Sequence, residues 1–592
     1  MRWTAATRLA AIGVAASALA TAPAVRAATP AGCSVGRMLE LKTTMSGVEP
    51  MVTIGINGHD EQFLVDSGAF YSDITTGKAT ELGLRPVALP GFMLKGVGGE
   101  IPAGYVTVKT VDLAGVPLKN VQFIVGGGEI RRGAGLLGQN VLGLADTEYD
   151  LAHGAVRLMR PHNCRNMNFA YWAAGKPVST VAIEPRSPQH PHTIGEVRIN
   201  GVRMRAIFDT GAARSTLTLA AAARLGLKPN SPEVHVAGYS TGIGRRTVTD
   251  YLVPIDSIEL GDQEAVHHTH MLASGMELDG DLLIGADFFL SHRVYVANAE
   301  HKLFFTYGGG PIFSTRAGPV VDAQGAAVAA AADAGVEPTD AAGYSRRGAA
   351  FLARRDFARA LADFDKAVTL APTDARYLFQ RAEAHQRNRQ PLLAMDDLDR
   401  TLTLDPGNAE ARLARAQVRL GRHDRAAAAE DVATVDKDAA PAADARLTLA
   451  GMYSVMDQLD RSLGQYDLWL RYHPDDPRRP NALNGRCWIR AEMGSDLGKA
   501  LSDCDAAIRA RPGVASFLDS RALVRLRMGD NDKAIRDYDA ALALAPKAAW
   551  SLYGRGLAEQ HLGQKDAGQK DIDAAVAIDP HLPERAKKLG VS

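Results

Sequence analysis

FLVDSGAFYSDIT (residues 63–75) and AIFDTGAARSTLT (residues 206–218) lie 143 positions apart, and each runs from an apolar stretch into Asp-(Ser/Thr)-Gly-Ala. A single Asp-Ser-Gly or Asp-Thr-Gly is an ordinary turn in which the Asp caps a backbone N–H. Here the echo continues at the same offset: Ile56-Asn57-Gly58 recurs as Ile199-Asn200-Gly201, and Leu82-Gly83-Leu84 as Leu225-Gly226-Leu227. The chain therefore contains an internal duplication. Each Asn-Gly supplies the positive φ of a tight hairpin, so each acidic residue is expected at the end of a strand that a hairpin has placed.

From about Arg37 to Arg160, and again from about Val178 to Tyr307, short β-rich runs alternate with Gly and Asn-Gly turns. The pattern predicts two compact, mostly antiparallel β units. Some 70 residues after each Asp come Leu136-Leu137-Gly138 and Leu283-Ile284-Gly285, whose apolar pairs are expected to pack behind the acidic loops. In between stand Gly96-Val97-Gly98-Gly99 and Gly238-Tyr239-Ser240-Thr241-Gly242, expected as mobile hairpin tips.

Peptide hydrolysis without a metal or a covalent nucleophile needs one group to take a proton from water and another to polarise the carbonyl. Two adjacent carboxylates sharing one proton do both, because like charges a few ångströms apart do not ionise together. Asp66 and Asp209 are the candidates for such a pair. Ser67 and Thr210 offer hydroxyls to brace the two loops against each other, Gly68 and Gly211 permit a sharp turn, and Ala69 and Ala212 keep the floor small.

At these residues the chain resembles the retropepsin-type aspartic peptidases, whose pattern is an Asp-(Ser/Thr)-Gly-Ala loop, a glycine-rich flap and an apolar-apolar-Gly element in each half. The resemblance implies Asp66 and Asp209 as the catalytic pair, Ser67, Gly68, Thr210 and Gly211 as their support, and Gly96, Gly98, Gly238 and Tyr239 as flap residues. Retropepsins commonly build the site from two identical subunits. Two fused halves imply one site within a single chain, as in pepsin-like enzymes. After the Gly element the halves differ, Asn140 against Asp287, so their packing need not be symmetric.

Beyond these halves, prolines fall at 338, 372, 406, 441, 474, 512, 546 and 580, spaced by 34, 34, 35, 33, 38, 34 and 34 residues. A period of 34 predicts stacked helix pairs. Small residues stand where two helices must approach, as at Gly348, Ala360 and Ala367 and again at Ala522, Ala534 and Ala541, with Tyr344, Phe351, Phe364 and Tyr538 filling the gaps. This region resembles the tetratricopeptide repeat family over seven units from about Ala341 to the C-terminus. The unit ending at Pro512 is about four residues longer than the others.

Lys plus Arg equals Asp plus Glu at 67 each, so no global field points to nucleic acid or an anionic membrane. Arg2 and Arg8, an apolar stretch from about Leu9 to Ala20, and Ala24-Val25-Arg26-Ala27 read as an export signal removed after about Ala27. Lipidation at Cys33 fits less well, because Pro30 and Arg26 interrupt the pattern. Four cysteines in an exported chain favour disulfides, and pairing by neighbourhood gives Cys33–Cys164 and Cys487–Cys504.

His267-His268-Thr269-His270 places His268 and His270 on one face of an extended strand, a metal-holding spacing, but a solvated strand or loop is the simpler reading and no metal is expected. Arg245 and Arg246 read as a solvated turn, with selection of acidic substrate residues as the alternative. Gly126-Gly127-Gly128 and Gly308-Gly309-Gly310 lack the Lys of a phosphate loop, so neither a nucleotide nor any other cofactor is expected.

The expected architecture is multidomain: a signal peptide (1–27), two all-β lobes of retropepsin/pepsin type (37–162 and 176–307), an Ala/Gly-rich linker (308–340) and an all-α tetratricopeptide-repeat solenoid (341–592). The expected function is an exported aspartic endopeptidase, periplasmic in a Gram-negative cell and otherwise secreted. It acts on extended peptide or protein, with a repeat platform that binds protein. The alternative is a non-catalytic peptide-binding scaffold on the same fold.

Overall fold

The computed structural model describes residues 32–591 apart from 47, 127–132, 166, 174, 176, 188–190, 241, 245–246, 309–312, 314–319, 322–337 and 354. The stretch expected to be an export signal, Arg245, Arg246 and most of the Ala/Gly-rich stretch lie outside the described residues. Among the described residues no helix is long and apolar enough to cross a membrane.

The two Asn-Gly steps close equivalent hairpins, one between strands Glu49–Ile56 and His59–Val65 and the other between Ile194–Ile199 and Val202–Phe208. Asn57 and Asn200 take φ of 51° and 49°, and Gly58 and Gly201 follow at 89° and 75°. Two successive positive φ values match the right-handed twist of the flanking strands. Each Asn side chain also accepts backbone N–H groups from a neighbouring strand, of Thr110 in one half and of Asp256 and Ser257 in the other.

In each half the strand leading into the acidic loop lies parallel to the apolar-Gly element. His59–Val65 pairs with Gly135–Leu137, and Val202–Phe208 with Leu282–Ile284. The other end of each acidic loop runs into a second parallel pair, Asp73–Ile74 with Val116–Val125 and Thr216–Thr218 with Glu264–Ser274. Both ends of each loop are thus anchored in sheet, which fixes the acidic side chain on rigid scaffold.

A six-stranded antiparallel sheet joins the halves, in the order Ser179–Ala182, Lys302–Tyr307, His292–Ala297, Asp146–Asp150, Ala155–His162 and Ser34–Ser46. Its middle pairing, Val294 with Tyr149 and Val296 with Thr147, crosses from one half to the other. Tyr149 and Phe289 meet edge to face beneath it with ring centroids 5.2 Å apart. The Cys33–Cys164 disulfide ties the two ends of the first half together beside this sheet.

The C-terminal region is all helix, from Ala341–Ala353 to Leu582–Lys588, fifteen helices among the described residues. The periodic small residues fall at the helix crossings. A Cβ built on Gly348 would press on the Phe364 ring, and one on Gly554 would overlap Tyr538. The Cys487–Cys504 disulfide joins the two helices of the fifth unit, Arg479–Met493 and Leu497–Ala510.

A feature that the repeat period did not announce is a ladder of guanidinium–carboxylate contacts. Arg381 grips Asp397 with two hydrogen bonds of 2.8 and 2.7 Å and reaches Asp365 of the preceding unit at 2.7 Å. Arg415 repeats this with Asp431 and Asp399, Arg521 with Asp537 and Asp505, and Arg555 with Asp571 and Asp539. Each planar guanidinium satisfies a poorly exposed carboxylate and links successive units. In the fourth unit both members change together: Leu449 and Gln465 occupy the Arg and Asp positions, and Arg446 reaches across to Gln465 instead.

The solenoid lies against the β region at several places. Met45 and Leu290 share an apolar cluster with Ala349, Leu352 and Phe364. A Cβ on Gly77, in helix Thr76–Glu81, would overlap the His473 ring. His473 lies in the connector 473–478, where the long fifth unit carries part of its extra length.

Candidate active site

Asp66 and Asp209 meet where the two lobes face each other, both partly exposed. Each carboxylate turns back on its own loop, so that Asp66 Oδ1 accepts from Gly68 N at 2.9 Å and Asp209 Oδ1 from Gly211 N at 2.8 Å. Each also lies on the other loop, since a Cβ built on Gly68 would fall on the Asp209 carboxylate and one on Gly211 on that of Asp66. Only glycine leaves room for the opposite acid at these two positions.

Ser67 and Thr210 lock the loops together. Thr210 N donates to Ser67 Oγ at 2.9 Å, and Ser67 N donates to Thr210 Oγ1 at 3.1 Å. The hydroxyls then donate onward across the pseudo-two-fold axis, Ser67 Oγ to Phe208 O at 2.9 Å and Thr210 Oγ1 to Val65 O at 2.6 Å. Four buried hydrogen bonds therefore fix the separation of the two acids. Behind them, Asp66 N donates to Leu137 O and Asp209 N to Ile284 O, at 3.0 and 2.9 Å.

The two carboxyls are close enough to share a hydrogen bond. Burial, followed by the charge and hydrogen bond of Asp209, drives the Asp66 carboxyl well above the ordinary carboxylate range, so it holds a proton that a solvated Asp would release. The arrangement sets a carboxyl that keeps its proton beside a second carboxyl on the facing loop.

Asn140 and Asp287 prove to have one job despite their different charge. Asn140 Oδ1 accepts from Ser72 N and Oγ, both at 2.8 Å, and Asp287 accepts from Ser215 N at 3.0 Å and Ser215 Oγ at 2.7 Å. The same serines take the next Gly N–H, Gly138 to Ser72 Oγ and Gly285 to Ser215 Oγ. The local packing is symmetric here, and only the charge differs.

The two flap tips meet each other, and the second stretch read as a tip reaches this contact only at its last residue, Gly242, which packs on Val97. Gly96 and Gly98 are at the first tip, where Gly98 N donates to Ile243 O at 2.8 Å and Gly98 bridges Gly244. Gly238 and Tyr239 lie within the rising strand His235–Ser240, paired to Asp250 and Thr249. The counterpart of Gly96-Val97-Gly98 is Gly242-Ile243-Gly244, at an offset of 146 rather than 143. An insertion between Leu227 and the tip displaces the match, and the apolar-Gly elements are offset further, by 147.

His192 was not singled out by any motif. Its Nε2 lies 2.7 Å from Gly68 O, and its ring meets Phe70 with centroids 4.4 Å apart, so it buttresses the first acidic loop from the connector between the lobes. The same loop is also held by Gln139, whose Nε2 donates to Ser67 O at 2.7 Å. Neither residue has a sequence signal, because both act through backbone carbonyls that any residue presents.

His268 adopts φ of 51° and drops out of the pairing between Ser257–His267 and Ile255–Thr269. The uninterrupted extended geometry that a metal at His268 and His270 would need is absent. Among the described residues the group with metal-ligand spacing is Asp444, His473 and Asp476. Arg478 already donates to both of those carboxylates, so the cluster is an ion-pair knot beside Gly77.

Comparison with known proteins follows the same division. Residues 52–143 match the gag-polyprotein aspartyl protease family model, residues 195–288 the aspartyl protease model, and residues 520–583 the tetratricopeptide repeat model. No curated protein matches the chain. Among solved structures, a tetratricopeptide repeat protein from Parabacteroides merdae is 16% identical over 42% of this chain and 96% of its own, with a TM-score of 0.34. The Cut9 and Hcn1 hetero-tetramer of the APC/C is 13% identical over 38% of this chain and 43% of its own, with a TM-score of 0.33. YrrB, a repeat protein with an unusual peptide-binding site, is 16% identical over 38% of this chain and 97% of its own, with a TM-score of 0.22. The N-terminal region is thus a pair of fused, retropepsin-like aspartyl protease lobes, and the C-terminal region is a tetratricopeptide-repeat solenoid.

Proposed function

We propose that the chain is an exported aspartic endopeptidase, with Asp66 and Asp209 as its catalytic pair and its repeats as a protein-binding platform. The observation that carries this reading is the reciprocal bracing of Ser67 and Thr210, which holds the two carboxyls beside each other, each against the other's glycine. The ionised carboxylate takes a proton from a bound water as its oxygen attacks the scissile carbonyl, and the protonated carboxyl gives its proton to the carbonyl oxygen. The resulting diol collapses as the C–N bond breaks and the departing amine takes up a proton. The flap strands offer backbone edges to an extended peptide and exclude bulk water above the acids.

Two disulfides suit a chain that leaves the reducing cytosol, in line with the export signal read at residues 1–27. The solenoid is placed to recruit protein substrates or partners.

The test is cleavage of a diverse peptide pool by the full-length protein between acidic and neutral pH, with and without pepstatin. Wild-type cleavage that pepstatin blocks and that Asp66→Asn and Asp209→Asn abolish is expected. Peptide binding without any cleavage under these conditions would establish the scaffold alternative in its place.

A further inference from the structure

The duplication makes the two sides of the cleft comparable residue by residue, and they do not agree in chemistry. The loop after Asp66 reads Gly-Ala-Phe70-Tyr71-Ser72, and that after Asp209 reads Gly-Ala-Ala213-Arg214-Ser215. The backbones superpose in their contacts: Gly138 packs on the carbonyls of Ala69 and Tyr71, and Gly285 packs on those of Ala212 and Arg214. Tyr71 and Arg214 therefore stand at places related by the pseudo-two-fold axis, equally far from the bond over the two acids.

Phe70, Tyr71, Ala213 and Arg214 are all exposed, although they follow directly on the most constrained loops of the molecule. On the first side, Tyr71 meets Phe92 of the flap strand with ring centroids 6.1 Å apart, and Phe70 meets His192, which makes an aromatic wall. Counting back from the matched flap tips, Phe92 corresponds to Gly238, so at that place the second flap offers Arg214 no ring among the described residues. Ala213 leaves the space beside it open.

Arg214 has no ion-pair partner among the described residues. Its charge eases the burial of Asp287, but that carboxylate is satisfied by Ser215 and by Phe288 N, and the Arg214 side chain stays exposed. A cation left uncovered beside a cleft between low-dielectric walls attracts an anion from the ligand.

We propose that the cleft distinguishes the two sides of its peptide, taking an aromatic or large apolar side chain against Phe70 and Tyr71 and an acidic side chain at the symmetry-related place against Arg214. This inference rests on the reading of the cleft as a peptide site and deepens it by naming the substrate class. Substrates are then directional, and only one chain polarity presents both side chains correctly.

The test uses the full-length Asp66→Asn variant, so that binding is read without turnover, and short peptides with Phe at one position and Glu, Gln or Lys at the symmetry-related one. Fluorescence anisotropy should show the Glu peptide binding about ten-fold more tightly than the Lys peptide at low salt. Adding Arg214→Gln should bring that ratio close to one, and Tyr71→Arg should make an acidic residue acceptable on both sides. Equal binding of the three peptides, a ratio that survives Arg214→Gln, or no binding of any of them overturns the inference. Cleavage by the wild type is scored separately: preference without cleavage removes the catalytic reading alone, and cleavage without preference removes this one alone.

Discussion

Replacing Asp66 by Asn should make the protein more stable at neutral pH, an unusual result for a substitution at the most constrained point of a fold. Asn keeps the acceptor for Gly68 N and disturbs none of the four bracing hydrogen bonds, so the change is almost purely one of charge. Two carboxylates about 4 Å apart repel by roughly 4 kcal/mol at an effective dielectric of about 20. The native pair avoids much of this by keeping a proton, at a cost of about 1.4 kcal/mol for each unit by which its pKa is raised. The raised Asp66 pKa means that the folded chain binds more protons than the unfolded one, so stability falls as pH rises from the ordinary carboxylate range through the raised value. The variant escapes that loss, with an expected gain of ~1–3 kcal/mol at pH 7 that vanishes below about pH 4. Calorimetry of the full-length protein across pH should show the transition of the β region raised by roughly 2–4 °C per kcal/mol, with the helical transition unmoved. A variant that is no more stable than wild type at pH 7, or whose gain is the same at pH 4, would refute the shared proton.

Gly211→Ala should abolish cleavage while leaving an ordered fold, because the new Cβ occupies the Asp66 carboxylate's place; crystallography or paired activity and thermal assays would check it, and retained activity would count against the packing described. Arg415→Leu alone should destabilise the solenoid by roughly 1–3 kcal/mol, because the buried Asp431 loses its paired hydrogen bonds and keeps only Arg419 and Arg412, whereas Arg415→Leu with Asp431→Gln, copying the fourth unit, should recover most of the loss in urea unfolding. Replacing Cys487 and Cys504 by Ala should lower the stability of the helical region by about 3 kcal/mol, from the short loop the bridge closes, without altering the β transition.

The architecture was legible because duplication and periodicity are redundant signals. Asp66 and Asp209 were singled out by a shared context, and the same context correctly placed Leu137 and Ile284 behind them. The second flap stretch, Gly238 to Gly242, reaches the tip only at its last residue, because glycine content alone does not separate a strand from the turn that follows it. Asn140 and Asp287 looked like a break in symmetry, yet amide and carboxylate oxygens accept the same hydrogen bonds. His192 and Gln139 were invisible because they support carbonyls, and the arginine ladder was invisible because surface Arg and Asp are common until coordinates bring them together.

The reciprocal brace also sets an order in time. Thr210 supplies the hydroxyl that accepts from Ser67 N, and the second half supplies the carbonyl that Ser67 Oγ needs, so the first acidic loop is unfinished until more than 140 further residues have emerged. During synthesis, or passage through a membrane from the N-terminus, a lobe that has folded first holds a solitary carboxyl with nothing to share its proton. On the proposed reading of the pair as catalytic, a chain made in this order stays inert until its second lobe has folded, and that lobe is the timer that arms the first.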